Sequence, residues 1–242
     1  MDNTSYFLED LTKRYPLLDT VKKDMIESYE MLKDCFQKGG KLLIAGNGGS
    51  AADSEHIVGE LMKGFCLPRK VELSFTEKLK AVNNGIAQEL SDKLQGALPA
   101  IALSNHSALN TAFQNDVDGR FCIAQQVYGY GKEGDVFLGI STSGNSGNIV
   151  SAAVVAKALG MKVISLTGSS GGKLSDTGTS LSRLRRRKLI RFRNSICPYT
   201  IVSVSCWKML SGETQKKYMS GKSKENEGYQ HGHNAGKYYG AG

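Results

Sequence analysis

No apolar run in this chain approaches the roughly 18 residues that a membrane-spanning helix needs, so none is expected. The start, Met1-Asp-Asn-Thr-Ser5, lacks the basic and apolar regions of a secretory signal. Five cysteines, at positions 35, 66, 122, 197 and 206, form neither a C-x-x-C pair nor an even framework. A disulfide scaffold is therefore excluded from the expectation, and a cytoplasmic protein is expected. Acidic residues are scarce in the last quarter: residues 177–242 hold 13 Lys/Arg against 3 Asp/Glu, while residues 1–176 hold 18 against 20. The formal net charge of +8 is thus a property of the tail, with seven basic residues inside Arg183–Arg193. A nucleic-acid partner would rest on that tail alone and is not expected for the whole protein.

What remains, at 242 residues with 40% apolar side chains, is enough for one α/β domain with a full core. Residues 1–40 read as a helical segment: Tyr6–Arg14, a break at Pro16, then a helix from about Leu18 to Gln37 stopped by Gly39-Gly40. From Lys41 strands alternate with helices. Leu42–Ala45 precedes a helix over 51–65, with Ile57, Leu61 and Phe65 on one face. Pro99–Leu103 precedes a helical stretch at 107–114, Val136–Ile140 precedes a helix over Asn148–Leu159, and Lys162–Leu166 follows. Short continuous apolar strands separated by helices imply a parallel sheet covered on both faces. Residues 66–98 read as a polar, helix-prone excursion, and the alternation is expected to stop after Asp176. The divisions are 1–40, 41–176 and a basic, low-complexity tail over 177–242.

Chemistry concentrates where strands end. Ala45-Gly-Asn-Gly-Gly-Ser50 is a glycine-rich turn running from a strand into a helix, where amides and the helix dipole favour an anion. Gly139-Ile-Ser-Thr-Ser-Gly-Asn-Ser-Gly147 is a second such turn, bearing the hydroxyls of Ser141, Thr142, Ser143 and Ser146. Two anion-ready turns on one sheet edge favour a phosphate site over an ordinary helix cap. His56 and Glu60, four residues apart, share a helix face with Asp53 and Lys63. That pair suits one metal ion or a shared proton, and equally a solvated polar face. Asn115-Asp116 reads as a helix end able to reach the same edge, or as a simple turn. His231 and His233, in the glycine-rich tail, receive no role.

These residues, with Leu166, Thr167, Gly168 and Gly171-Gly-Lys-Leu174, resemble the phosphoheptose isomerases of the sugar isomerase (SIS) domain superfamily over about residues 1–176. The resemblance implies a flavodoxin-like three-layer α/β/α sandwich, assembled as a homotetramer with active sites shared between subunits. It implies an aldose–ketose isomerase that converts sedoheptulose 7-phosphate to D-glycero-D-manno-heptose 7-phosphate, an early step toward lipopolysaccharide heptose. Ser141, Thr142, Ser143 and Ser146 would hold the phosphate; Asn47, Gly48, Gly49, Asn115 and Asp116 would hold the sugar. Glu60 would be the base, and His56 and Glu60 would be two ligands of a zinc ion. Gly64, beside Lys63, stands where many members carry an arginine, and the 66–98 segment is longer than usual. The same superfamily offers a second expectation: a non-catalytic phosphosugar-binding or replication-initiator-associating protein.

The family's C-terminal helix, which supplies a zinc-binding glutamine and a histidine acting as ligand and acid, has no counterpart in Phe192–Ile201. Suitable synonymous codons for Arg191–Leu210, read from the third base of Arg191, give Ile-Gln-Glu-Phe-Asn-Leu-Pro-Ile-Tyr-His-Cys-Leu-Cys-Leu-Met-Leu-Glu. That translation is close to the missing helix. The expectation is that the chain after about Asp176 is out of frame, through a frameshift or a sequence error, which makes the basic tail accidental. Codons in the source nucleotides incompatible with that translation would end the idea.

Overall fold

The computed structural model describes residues 9, 12–13, 16–63 and 69–184. Most of the expected Tyr6–Arg14 helix, residues Gly64 and Phe65, Cys66, Cys197 and Cys206, and the tail from 185 with His231 and His233 lie outside the described residues. So does Arg191–Leu210, whose other reading gives the missing helix, whereas residues 177–184 of the segment argued to be out of frame are described.

A 3₁₀ turn at Pro16–Val21 leads into α1 (Lys22–Gln37), then β1 (Leu42–Gly46), α2 (Gly49–Met62), α3 (Leu73–Val82) and α4 (Asn84–Lys93). There follow β2 (Ala100–Ala102), α5 (Ser107–Asp116), α6 (Cys122–Tyr130), β3 (Val136–Ser141), α7 (Gly147–Ala158), β4 (Lys162–Gly168), the single turn α8 (Gly172–Ser175) and β5 (Thr179–Leu184). Among the described residues the five strands are parallel, in the order β2-β1-β3-β4-β5. This is the flavodoxin-like order, with its switch point between β1 and β3.

Side chains of a strand alternate between faces, and here each face has its own core. Leu42 and Ile44, Val136, Leu138 and Ile140, and Ile164 and Leu166 meet Met25, Leu32 and Cys35 of α1 and Ile57 and Leu61 of α2. Leu43, Ala45, Phe137 and Val163 meet Ile123, Ala124 and Val127 of α6 and Ile149, Ala152, Ala153 and Ala156 of α7. The expected α/β/α sandwich is therefore present, and no helix among the described residues is long and apolar enough to cross a membrane.

Two elements depart from the sequence reading. The alternation expected to stop at Asp176 continues into β5, whose backbone pairs with β4 from Thr179 opposite Ile164. Its composition hides it, because an edge strand needs backbone partners more than apolar side chains. Helix α6 was not expected; its apolar positions are broken by Gln125 and Gln126 within nine residues, too few for a period to show. The excursion does contain helices: α3 and α4 are joined by Thr76 and Ser91, with hydroxyl oxygens 2.6 Å apart. Its base is closed by the Lys70–Gln95 bridge, and the Arg69 guanidinium donates to the Leu61 and Lys63 carbonyls at the end of α2.

Opposite the carboxyl edge, buried Asp135 ties the starts of β1 and β3 together. It accepts hydrogen bonds from the Lys41 and Lys132 amides, both at 2.9 Å, and from the Lys41 ammonium. Replacing Asp135 by Ala strands those donors and is expected to cost about 3 kcal/mol, read from urea unfolding. Burial, and then the nearby Asp135 carboxylate, push the Cys35 thiol from 9.0 up to about 11. The thiol's contribution to stability is therefore complete below pH 9.0 and lost as the pH climbs through about 11. At pH 8 a thiol reagent should leave Cys35 unmodified until denaturant is added.

Candidate functional site

Ligands of doubly wound sheets bind outside the carboxyl ends of the strands at the switch point, and this structure has a cleft of about 450 Å³ there. Its first wall is the turn after β1, from which Asn47 and Ser50 line the space. Gly48 holds φ +54°, a conformation that suits glycine, and lets the chain enter α2 directly. The Ser50 amide donates to the Asn47 carbonyl at 2.9 Å, so the first turn of α2 starts at the cleft.

The second wall is the serine turn after β3. Ile140, Ser141, Thr142, Ser143 and Ser146 line the space, and α7 begins at the next residue. The Ser146 amide donates to Ser141 Oγ at 3.4 Å, and the Ser141 hydroxyl donates to Ser146 Oγ at 2.9 Å. That relay leaves the Ser146 hydroxyl proton free for a ligand. Gly168 at the end of β4, with Ser169 and Ser170 of the turn after it, completes the cleft. The sequence gives this turn away only weakly, as a Gly/Ser cluster after an apolar strand. Among the described residues, no ionisable side chain lines the cleft. Two helix N-termini, backbone amides and hydroxyls converge on one space, which is the donor set that surrounds a phosphate without a fixed cation.

The structure thus brings Asn47 together with Ser141, Thr142, Ser143 and Ser146, and adds Ser50, Ser169 and Ser170 to them. Gly48, Gly49, His56, Glu60, Asn115 and Asp116 do not line this cleft. Asn115 and Asp116 end α5 exposed, with the Asn115 amide donating to Asp116 Oδ1 at 2.8 Å. Glu60 lies eleven residues beyond the start of α2, about 16 Å along its axis at 1.5 Å per residue. Its side chain is 12% exposed, 3.7 Å from His56 Nε2 and 3.8 Å from Lys63 Nζ, and its Oε2 is buried with no hydrogen-bond partner.

The expected zinc site is not supported. Among the described residues no group of three or more His, Cys, Asp or Glu side chains is placed to hold a metal ion. His56, 56% exposed, and Glu60 supply one imidazole and one carboxylate, short of the three or four protein ligands that zinc takes.

Residues 92–168 match the family model described as SIS domain. The phosphoheptose isomerase of Aneurinibacillus thermoaerophilus is 37% identical over 142 residues, 59% of this chain and 59% of that protein. That of Dechloromonas aromatica is 37% identical over 159 residues, 66% of this chain and 68% of that protein. The chain therefore spans about three fifths of the length of the first of these relatives and slightly over two thirds of the second. Among solved structures, a phosphoheptose isomerase from Francisella tularensis superposes with a TM-score of 0.60 at 28% identity, covering 82% of this chain and 94% of that one. One from Neisseria gonorrhoeae gives 0.58 at 28% identity, covering 83% and 96%.

The serine turn keeps its shape through contact between backbones. Gly144 holds φ +68°, and a Cβ there would overlap the Gly171 carbonyl. Replacing Gly144 by Ala is expected to cost about 2 kcal/mol or more in urea unfolding. It should also weaken inorganic phosphate about tenfold or more by calorimetry, because the turn must shift. Affinity equal to wild type would contradict this assignment.

Proposed function

The chain belongs to the phosphoheptose isomerase family of SIS-domain proteins, and from that premise we propose that it is built to convert sedoheptulose 7-phosphate to D-glycero-D-manno-heptose 7-phosphate. The observation that carries the reading is the uncharged, hydroxyl- and amide-lined cleft at the switch point. A phosphate dianion would accept hydrogen bonds from Ser141, Thr142, Ser143 and Ser146 and from amides at the start of α7. Asn47, the one residue of the 47–49 turn that lines the cleft, would meet the sugar.

Isomerisation needs no net oxidant. A base removes a proton from C1 of the open-chain ketose, the electron pair forms the C1–C2 double bond of an enediol, and the carbonyl oxygen gains a proton. Reprotonation at C2 and loss of the proton from the C1 hydroxyl give the aldose. Glu60 is the proposed base. It stands too far along α2 to serve the cleft of its own chain, so the reading includes a homotetramer in which α2 and the α5 end of another copy bring Glu60, Asn115 and Asp116. The unpartnered, buried Oε2 of Glu60 supports a group held ready for a partner that one chain lacks.

A second reading, a non-catalytic phosphosugar-binding or replication-initiator-associating protein, is favoured by one observation: among the described residues, no carboxylate lines the cleft. Sedoheptulose 7-phosphate turnover separates the two when measured on this chain and on a version restored to the other frame after about Asp176. The restored chain is expected to turn over the ketose, and Glu60→Gln within it to lose about 10²–10⁴-fold. The present chain should be far slower than the restored one. Sugar-phosphate binding without turnover in the restored chain would carry the second reading instead.

A further inference from the structure

Asn47 does not meet the cleft alone. Its Nδ2 donates to Asn148 Oδ1 at 3.0 Å, and Asn148 Nδ2 donates back to Asn47 Oδ1 at 2.9 Å. This reciprocal amide pair joins the turn after β1 to the first turn of α7, across the switch point. Each amide spends one N–H and one acceptor position on the other, so Asn47 keeps one N–H and one lone pair for a ligand.

Such a pair has two orientations. If both amides turned over together, both hydrogen bonds would survive, but the N–H and C=O that Asn47 presents would exchange places. A neighbour breaks the tie. The Ile149 amide, within α7, is shared between the Ser146 carbonyl at 3.0 Å and Asn148 Oδ1 at 3.1 Å. Turning Asn148 over would set its NH₂ against that backbone donor, an arrangement of two donors with no acceptor. The direction of Asn148 is thus chosen by the helix that also carries Ser146, and Asn47 inherits it.

We infer that Asn148 is a positioning residue: it fixes which polar atom Asn47 turns toward the sugar, and so couples sugar recognition to the helix that holds the phosphate. Asn148 acts through Asn47, and the phosphate is held by other groups. The inference rests on the phosphosugar reading above. It makes the site selective for a phosphorylated polyol over a bare phosphate, because a reversed or freely turning Asn47 would meet a sugar hydroxyl with the wrong partner.

Calorimetric titration of the full chain with sedoheptulose 7-phosphate and, separately, inorganic phosphate tests this. Asn148→Ala is expected to weaken the sugar phosphate about five- to tenfold and inorganic phosphate less than about twofold, the size of one or two neutral hydrogen bonds. The double variant Asn47→Ala/Asn148→Ala should bind the sugar phosphate no more weakly than Asn47→Ala, since one residue works through the other. Asn148→Asp keeps the oxygen shared by Ile149 and Asn47, and it should recover part of the sugar-to-phosphate affinity ratio that Asn148→Ala loses. The ratio cancels the repulsion its charge adds to both ligands. Equal losses for both ligands, additive effects in the double variant, or no recovery by Asn148→Asp would overturn the inference. A wild-type chain that binds inorganic phosphate but gains nothing from the sugar would overturn it while sparing the anion site. A wild-type chain that binds neither would overturn the phosphosugar reading, and this inference with it.

Discussion

Where the loop after β3 meets the loop after β4, two backbones approach with no side chain between them, and the whole cleft depends on that approach. Gly144 faces Gly171, and a Cβ on Gly172 would press against the Ser143 carbonyl at 2.5 Å. Hydrogen bonds knit the same seam: Gly168 N–H to Thr142 O at 3.0 Å, Leu174 N–H to Gly144 O at 2.9 Å, and Lys173 N–H to Asn145 Oδ1 at 3.1 Å. The serine turn is thus held against a neighbour on a parallel sheet whose β1, β3 and β4 are buried on both faces. Its hydroxyls line the cleft with no cationic side chain beside them among the described residues. Such a lining suits an anion through preorganised dipoles, which lose little by ordering because they are already ordered.

Much of that was legible in the residues. The apolar runs around Leu43, Phe137 and Ile164, each followed by glycine or serine and then a helix, announce parallel strands and their ligand-bearing ends. The third wall was not legible, since Ser169 and Ser170 look like any loop until β4 is set beside β3. Asn148 is invisible for a related reason: it looks like a residue in a helix's first turn, and its partner lies 101 positions away. Helix α6 and strand β5 hide because one is short and interrupted and the other is polar.

The expectation of zinc failed on donor count. The spacing of His56 and Glu60 is correct for a shared ligand, and α2 does bring them to 3.7 Å, but spacing on one helix supplies only two ligands. The same helix explains why Glu60 and the serine turn, adjacent in function under the proposal, are separate within one chain. Helix α2 begins at the cleft and carries Glu60 away from it. Under the proposal, a chain of this build would hold the phosphate by itself and would depend on an assembled neighbour, with an intact C-terminal segment, for the chemistry of the carbonyl end.

A crystal structure of the protein soaked with a ketose phosphate bears most directly on this account. The phosphorus should lie within the Ser141–Ser146 turn, with its oxygens on those hydroxyls and on amides at the start of α7, and the sugar chain should run past Asn47. A phosphate bound elsewhere, with the serine turn empty, would contradict it.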